Sequence, residues 1–320
     1  MSTLRSSLAF AIGLLALSAN GAWSQTTRTI RIIVSSTPGG GSDILGRLLA
    51  EQIARMQGPT IVVENRPGAG TVIGTDVASR AAPDGNTVLI VTPEFVIAPH
   101  LRKLSYDPLT SFEPICYLVR SPQVIVVNSA SPYHTIADLL NAARDKPGEL
   151  TLASAGPASG PQIGFEMLKR AAAVKMIFVP YPGSPPAVSA LLGGHVTSVF
   201  ATYPNVAEQV RSGQLRALAT ASRTRIEQLA DVPTLAESGY KDFEADLWFG
   251  MVAPAKAPPQ ALSQLAGLFT AALHAPEIQP KLNVQGLSPV GLCGADFGAH
   301  LRTQYEEFGS VIHDANITAE

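Results

Sequence analysis

The chain has 320 residues, 46% of them hydrophobic and 15% charged, which excludes a disordered chain and leaves room for two domains with proper cores. A formal net charge of -2 carries no basic footprint and argues against nucleic acid as a partner. The 2 cysteines form no CxxC pair and the 6 histidines show no HExxH-type spacing, so neither a disulfide framework nor a metal site is indicated.

Residues 1–24 read as a secretory signal peptide. Arg5 supplies the positive end, and Leu8 to Ala19 form an apolar core too short to span a bilayer well. Ala22-Trp23-Ser24 places small residues at the −3 and −1 positions, so cleavage falls before Gln25. An uncleaved anchor helix is the alternative.

The run Ile30 to Val34 predicts a buried parallel strand. Pro38-Gly39-Gly40-Gly41 then forces a turn that glycine makes without steric cost. Ser42 and Asp43 are N-cap candidates for a helix carrying Ile44, Leu45, Leu48 and Leu49 on one face. A strand, a glycine loop and a helix N-terminus with free backbone N–H groups make a ready anion site.

Thr60 to Glu64 predicts a second strand, Asn65 to Gly70 its loop, and Thr71 to Ala81 a helix. Pro83 to Asn86 is a turn, and Thr87 to Val91 a third strand closed by Thr92-Pro93-Glu94. This βαβαβ start implies a parallel doubly wound sheet, whose ligands sit beyond the C-terminal strand ends. The loops at 35–43, 66–71 and 92–94 therefore border one crevice. Residues 102–114 are Pro-rich and irregular, and Cys116 to Val127 is a long strand, broken at Arg120-Ser121-Pro122, that crosses out of the first domain.

A second βα series follows: a helix over Ile136 to Arg144, a strand over Leu150 to Ser154, a glycine loop over Ala155 to Gly160 and a helix over Pro161 to Ala173. Met176 to Val179 is a strand, Tyr181 to Ser184 its loop, and Pro185 or Pro186 suits the next helix start. Val196 to Phe200 and Leu215 to Thr220 are further strands. Asp246 to Ala253 is the return strand, and from Pro258 the chain reads as helical to its end. Outward and returning strands thus join two α/β lobes, 25–125 plus 248–320 and 126–247. A single large α/β sheet is the alternative.

No GxSxG and no P-loop are present. Gly68-Ala69-Gly70-Thr71-Val72-Ile73-Gly74 resembles a stretched dinucleotide loop, the one hint of a secreted α/β enzyme. It follows the second strand, not the first, in a chain exported away from cytosolic NAD(P). Asp43, Glu64, Asp76, Asp84 and Glu94 are scattered and form no carboxylate pair. Cys116, in an apolar run, reads as a buried thiol, although export permits a disulfide with Cys293. Arg66 is the one cation in these loops; it either meets a ligand carboxylate or braces Glu64 or a backbone carbonyl. Glycine, serine and threonine crowd the strand ends of both lobes, a composition suited to holding a carboxylate by N–H groups, hydroxyls and helix dipoles.

The segments TIRIIVSSTPGGGSDILGR, VVENRPGAGTVIGTDVASRAAPDGNTVLI, LASAGPASGPQIGFEML, VPYPGSPPAVSALLGGHV and DLWFGMVAPAKAPP resemble the Bug family, the extracytoplasmic solute receptors of tripartite tricarboxylate transporters. The resemblance implies a periplasmic, non-enzymatic binding protein of the type II, Venus-flytrap kind, with two crossing hinge strands. It implies a small carboxylate ligand, a two-component membrane permease as partner, a monomeric receptor and no cofactor. A ligand-presenting sensor for a signalling receptor is the alternative. The implied first-lobe contacts are Thr37, Pro38, Gly39, Gly40, Gly41 and Ser42, then Gly68, Ala69 and Gly70, then Thr92. The second-lobe contacts are Ser154, Ala155, Gly156 and Ser159, then Tyr181, Gly183 and Ser184, then Ala201 and Thr202. Val34-Ser35-Ser36 stands where the family usually has Val-Pro-aromatic, which opens the mouth of the pocket.

Overall fold

The computed structural model describes residues 28–156, 159–241, 243–315 and 317–318; the expected signal peptide and the loop residues Pro157 and Ala158 lie outside them. The chain opens as β1 (Thr29–Val34), α1 (Gly41–Arg55), β2 (Thr60–Asn65), α2 (Val72–Ser79), β3 (Thr87–Val91) and α3 (Glu94–Leu101). β1 pairs in parallel with both β2 and β3. Its apolar run is continuous because both faces are covered. Ile32 and Val34 pack with Leu45, Leu49 and Ile53 of α1, while Ile33 faces Phe95, Trp248 and Phe297. Each such fully buried aliphatic side chain contributes about 1.5–3 kcal/mol.

The expected long strand from Cys116 to Val127 is two strands, β4 (Phe112–Ser121) and β5 (Gln123–Asn128). Pro122, lacking an N–H for the ladder, separates them. Beyond it run α4 (Ile136–Asp145), β6 (Thr151–Ala155), α5 (Gly160–Ala172), β7 (Ile177–Tyr181), α6 (Ser184–Leu192), β8 (Ser198–Thr202), α7 (Ala207–Arg211) and β9 (Leu215–Thr220). The chain returns through β10 (Leu247–Pro254) and ends with α8 (Pro259–His274), α9 (Gln279–Val284), β11 (Ser288–Cys293) and α10 (Ala295–Ala315). One sheet has the order β11-β4-β10-β3-β1-β2 and the other β7-β6-β8-β5-β9, so the two-lobed arrangement holds, not the single large sheet. In the second sheet, too, alternate residues of one strand feed opposite cores, Val124 and Val126 one, Ile125 and Val127 the other.

Two elements depart from the sequence expectations. Glu94 does not end at a strand edge; it opens α3, whose run Phe95-Val96-Ile97-Ala98 is buried on all sides and so lacks an amphipathic period. The C-terminal part is not all helix, since β11 pairs antiparallel with β4 at the sheet edge, where Pro289 is tolerated and the register shifts between Pro289 and Leu292. That pairing sets Cys293 opposite Cys116, and the two form a disulfide across 177 residues. The buried-thiol reading of Cys116 is therefore corrected. Burial was right, but the register of a strand the sequence did not reveal supplied the partner.

Where the chain returns to the first sheet, the Asp246 carboxylate accepts from Ser222 Oγ at 2.5 Å. Burial pushes the Asp246 carboxyl up to about 6 from 3.8, against the opposing pull of Ser222 and Arg120. The folded chain thus holds this proton to a higher pH than the unfolded chain does. Its contribution to stability falls as pH rises from about 4 to about 6 and stays low above that. Asp246→Asn keeps the acceptor for Ser222 and removes the charge. Urea unfolding is expected to find it about 2 kcal/mol more stable than the parent at pH 7.5 and equal to it at pH 4. Parallel pH profiles for the two chains would contradict this.

Candidate ligand-binding site

A cavity of about 560 Å³ opens between the strand ends of the two sheets. Its first wall is built from the β1–α1, β2–α2 and β3–α3 connections. Its second wall comes from the loops after β6, β7 and β8, with Leu247 and Phe249 of β10 between them.

At the first loop, Gly40 is the N-cap of α1 in an extended conformation (φ −71°, ψ 159°), and no side chain caps the helix. Ser42 and Asp43, expected as caps, lie inside its first turn instead. Ser42 Oγ bonds Ser36 Oγ at 2.7 Å. Asp43 reaches backwards, accepting from the Gly39 N–H at 2.9 Å and from Arg47 Nε at 3.0 Å. Burial works to raise the Asp43 carboxyl, but these bonds outweigh it and hold the group below its ordinary value. Asp43 is thus engaged by Gly39 and Arg47 and does not cap the helix. The N–H groups of Gly41, Ser42 and Asp43 have no acceptor within the helix. Gly40, Gly41 and Ser42 line the cavity.

The second loop is held in a sparsely populated conformation. Gly68, Ala69, Gly70 and Thr71 all have positive φ, at 131°, 49°, 60° and 75°. For alanine and threonine this costs of order 1–3 kcal/mol each, which the surrounding structure must offset. Arg102 Nη1 braces the loop by donating to Ala69 O at 3.1 Å. The third glycine of the dinucleotide-like pattern does a packing job: a Cβ at Gly74 would sit 2.5 Å from Ser35 Oγ, so glycine lets α2 lie against the first loop.

Five lining residues carry a buried polar atom without a hydrogen-bond partner among the described residues: Ser35 Oγ, Thr37 Oγ1, Thr71 Oγ1, Arg102 Nε and Asn205 Oδ1. Buried polar atoms are nearly always paired, so this concentration sets the cavity wall apart from the rest of the fold. Four of the five belong to the first wall, and those four can all donate.

On the second wall, Ser159 caps α5 by accepting from Gln162 N–H at 3.2 Å. Glu94, from α3 of the first wall, accepts from the Gly160 N–H at 2.8 Å. Its other oxygen accepts from the Thr92 hydroxyl. The walls also touch at Gly183, where a Cβ would fall 2.5 Å from Thr37 Oγ1. Only glycine allows this approach. Among the described residues no group of three or more His, Cys, Asp or Glu could hold a metal ion.

Residues 45–317 match the family described as the tripartite tricarboxylate transporter family receptor. The chain belongs to this family. The receptor is 36% identical over 268 residues to the protein BugT of Bordetella pertussis, with 82% of each chain covered. Its fold matches that of the periplasmic binding protein BugD with a TM-score of 0.86 at 33% identity, over 91% of this chain and 98% of BugD. It also matches R. palustris Rpa4515, solved with adipate, with a TM-score of 0.87 at 29% identity, over 92% and 99% of the two chains. The resemblance to the Bug family and the periplasmic-binding-protein fold expected from the sequence both hold.

Of the residues singled out in the receptor's sequence, Thr37, Gly40, Gly41, Ser42, Gly68, Ala69, Gly70 and Thr92 meet on the first wall. Ala155, Gly156, Ser159, Tyr181, Gly183, Ser184 and Thr202 meet on the second. Four do not line the cavity. Pro38 and Gly39 are exposed, and Ser154 and Ala201 are fully buried behind it. Arg66 pairs with Glu64 and does not line the cavity, so its bracing role is the one observed. The cation at the cavity is Arg102, in a stretch with no local motif to mark it. Glu94 lines the cavity as part of the 92–94 stretch expected at the crevice, whereas Phe95, Asn205, Leu247 and Phe249 were missed. Leu247 and Phe249 had a usable signal, since alternate residues of one strand share a face.

Proposed function

We propose that this receptor is exported to the periplasm through the signal peptide at residues 1–24, captures a small organic acid in the cavity and delivers it to a two-component membrane permease. The observation that carries this reading is the uncapped N-terminus of α1, whose Gly40, Gly41 and Ser42 line the cavity. A helix N-terminus contributes roughly 0.3–1 kcal/mol to a bound anion, up to ~2 when partly buried. Each charge-assisted hydrogen bond adds about 1.5–3 kcal/mol. Four such bonds, less the costs of closure and ordering, support binding of micromolar order. Adipate on the R. palustris relative places a carboxylic acid ligand in the same fold. Thr37, Gly40, Gly41, Ser42, Gly68, Ala69 and Gly70 would grip the carboxylate, and the second wall would close over it. The receptor acts as a monomer without cofactor.

The test is thermal unfolding of the mature chain against a panel of mono-, di- and tricarboxylates. A true ligand at one hundred times its Kd is expected to stabilise the receptor by about 2.7 kcal/mol. A panel without any shift would overturn the proposal.

A further inference from the structure

Two helix N-termini at the cavity, those of α1 and α5, are not equivalent. In α1 the first three N–H groups lack acceptors within the helix, and no side chain caps them. In α5 every one of the corresponding positions is satisfied or empty. The Gly160 N–H goes to Glu94, Pro161 has none, and the Gln162 N–H goes to Ser159 Oγ. The first turn of α6 offers little more, since Pro185 and Pro186 leave only the Ser184 N–H. Glu94 is 7% exposed and lines the cavity. Leu247 packs against Gly160, the residue whose N–H Glu94 accepts, and Phe95 and Pro161, next in sequence to Glu94 and Gly160, also line the cavity.

We infer that the cavity takes organic acids with a single carboxylate, the far end of the ligand being apolar or a hydrogen-bond donor, because Glu94 already occupies the anion position of the second wall. This rests on the carboxylate-receptor reading above and gives its ligand class. A second carboxylate beside Glu94 would meet a charge of its own sign, and the N–H groups of α5 that could have replaced its lost water are already taken. An amine or hydroxyl there would donate to the lone pairs that the Glu94 oxygens retain.

The test is isothermal titration of the mature chain and of Glu94→Gln with two matched sets: hexanoate, 6-aminohexanoate and adipate; benzoate, 4-aminobenzoate and terephthalate. In the parent, the dicarboxylate of each set should bind at least 10-fold more weakly than its monocarboxylate. Glu94→Gln should shrink that gap by about 10- to 100-fold, the scale of a like-charge contact in a partly screened site. The variant should also weaken the amino acids relative to the plain monocarboxylates. A parent that prefers the dicarboxylate, or a gap unchanged in Glu94→Gln, overturns the inference and leaves the carboxylate-receptor reading standing. Silence from both sets and from the whole wider panel overturns both. Should Glu94→Gln fail to fold, the parent's ranking of mono- against dicarboxylates decides alone.

Discussion

Gly40→Asp should abolish carboxylate binding while leaving the receptor folded and about as stable as before. Gly40 has φ −71°, a value any residue adopts, so the backbone need not change. A Cβ there would sit 3.0 Å from Ser36 Oγ and 3.1 Å from Thr37 O, a tight fit that small shifts can relieve. Aspartate is among the best N-cap residues, and its carboxylate would accept from the free N–H groups of α1. That new cap stabilises the helix by about 1 kcal/mol, roughly offsetting the steric cost. It also fills the anion position with the protein's own charge, as Glu94 does on the facing wall. The expected result is a loss of affinity of at least about 100-fold with an unfolding midpoint close to the parent's. Titration and urea unfolding on the same preparation read the two effects separately. Unchanged affinity would mean that the ligand does not use the α1 N-terminus.

The second large effect concerns stability. Replacing Cys116 and Cys293 together by serine should lower the unfolding free energy by about 3–5 kcal/mol. The bond closes a loop across 177 residues, close to the largest entropic restraint a single cross-link imposes on a chain this size. It also ties down β11, an edge strand with an irregular register, and α10 follows directly from that strand. Helix α10 in turn contributes Ile312 to a cluster with Ile97 of the first lobe and Ile163 of the second. Loosening β11 should therefore loosen the contact between lobes as well. A double variant within 1 kcal/mol of the parent by urea unfolding would show that the ladder holds β11 unaided.

Much of the site is legible in the amino-acid sequence because its elements are local. The run from Ile30 to Val34, the glycines at 39–41 and the periodic leucines that follow fall within twenty-one residues, and hydrophobic period and turn chemistry act over that range. The same holds for the loops at 68–70, 155–156 and 183–184, most of whose residues reach the cavity. The cap of α1 shows where local reasoning stops. Ser42 and Asp43 are good cap residues, yet Ser36 and Arg47 draw them aside and leave Gly40 at the cap.

By itself, then, the amino-acid order determined two α/β lobes, a crossover and a return strand, and glycine-rich strand ends suited to an anion. Those follow from propensity, period and backbone sterics within short windows. Tertiary structure alone decided that Cys116 has a partner, that Arg102 and not Arg66 is the cation at the cavity, and that Glu94 closes the N-terminus of α5. Each of these depends on the register or approach of segments dozens to hundreds of residues apart. A side chain's local sequence carries no information about which distant charge or thiol the folded chain will bring within bonding distance.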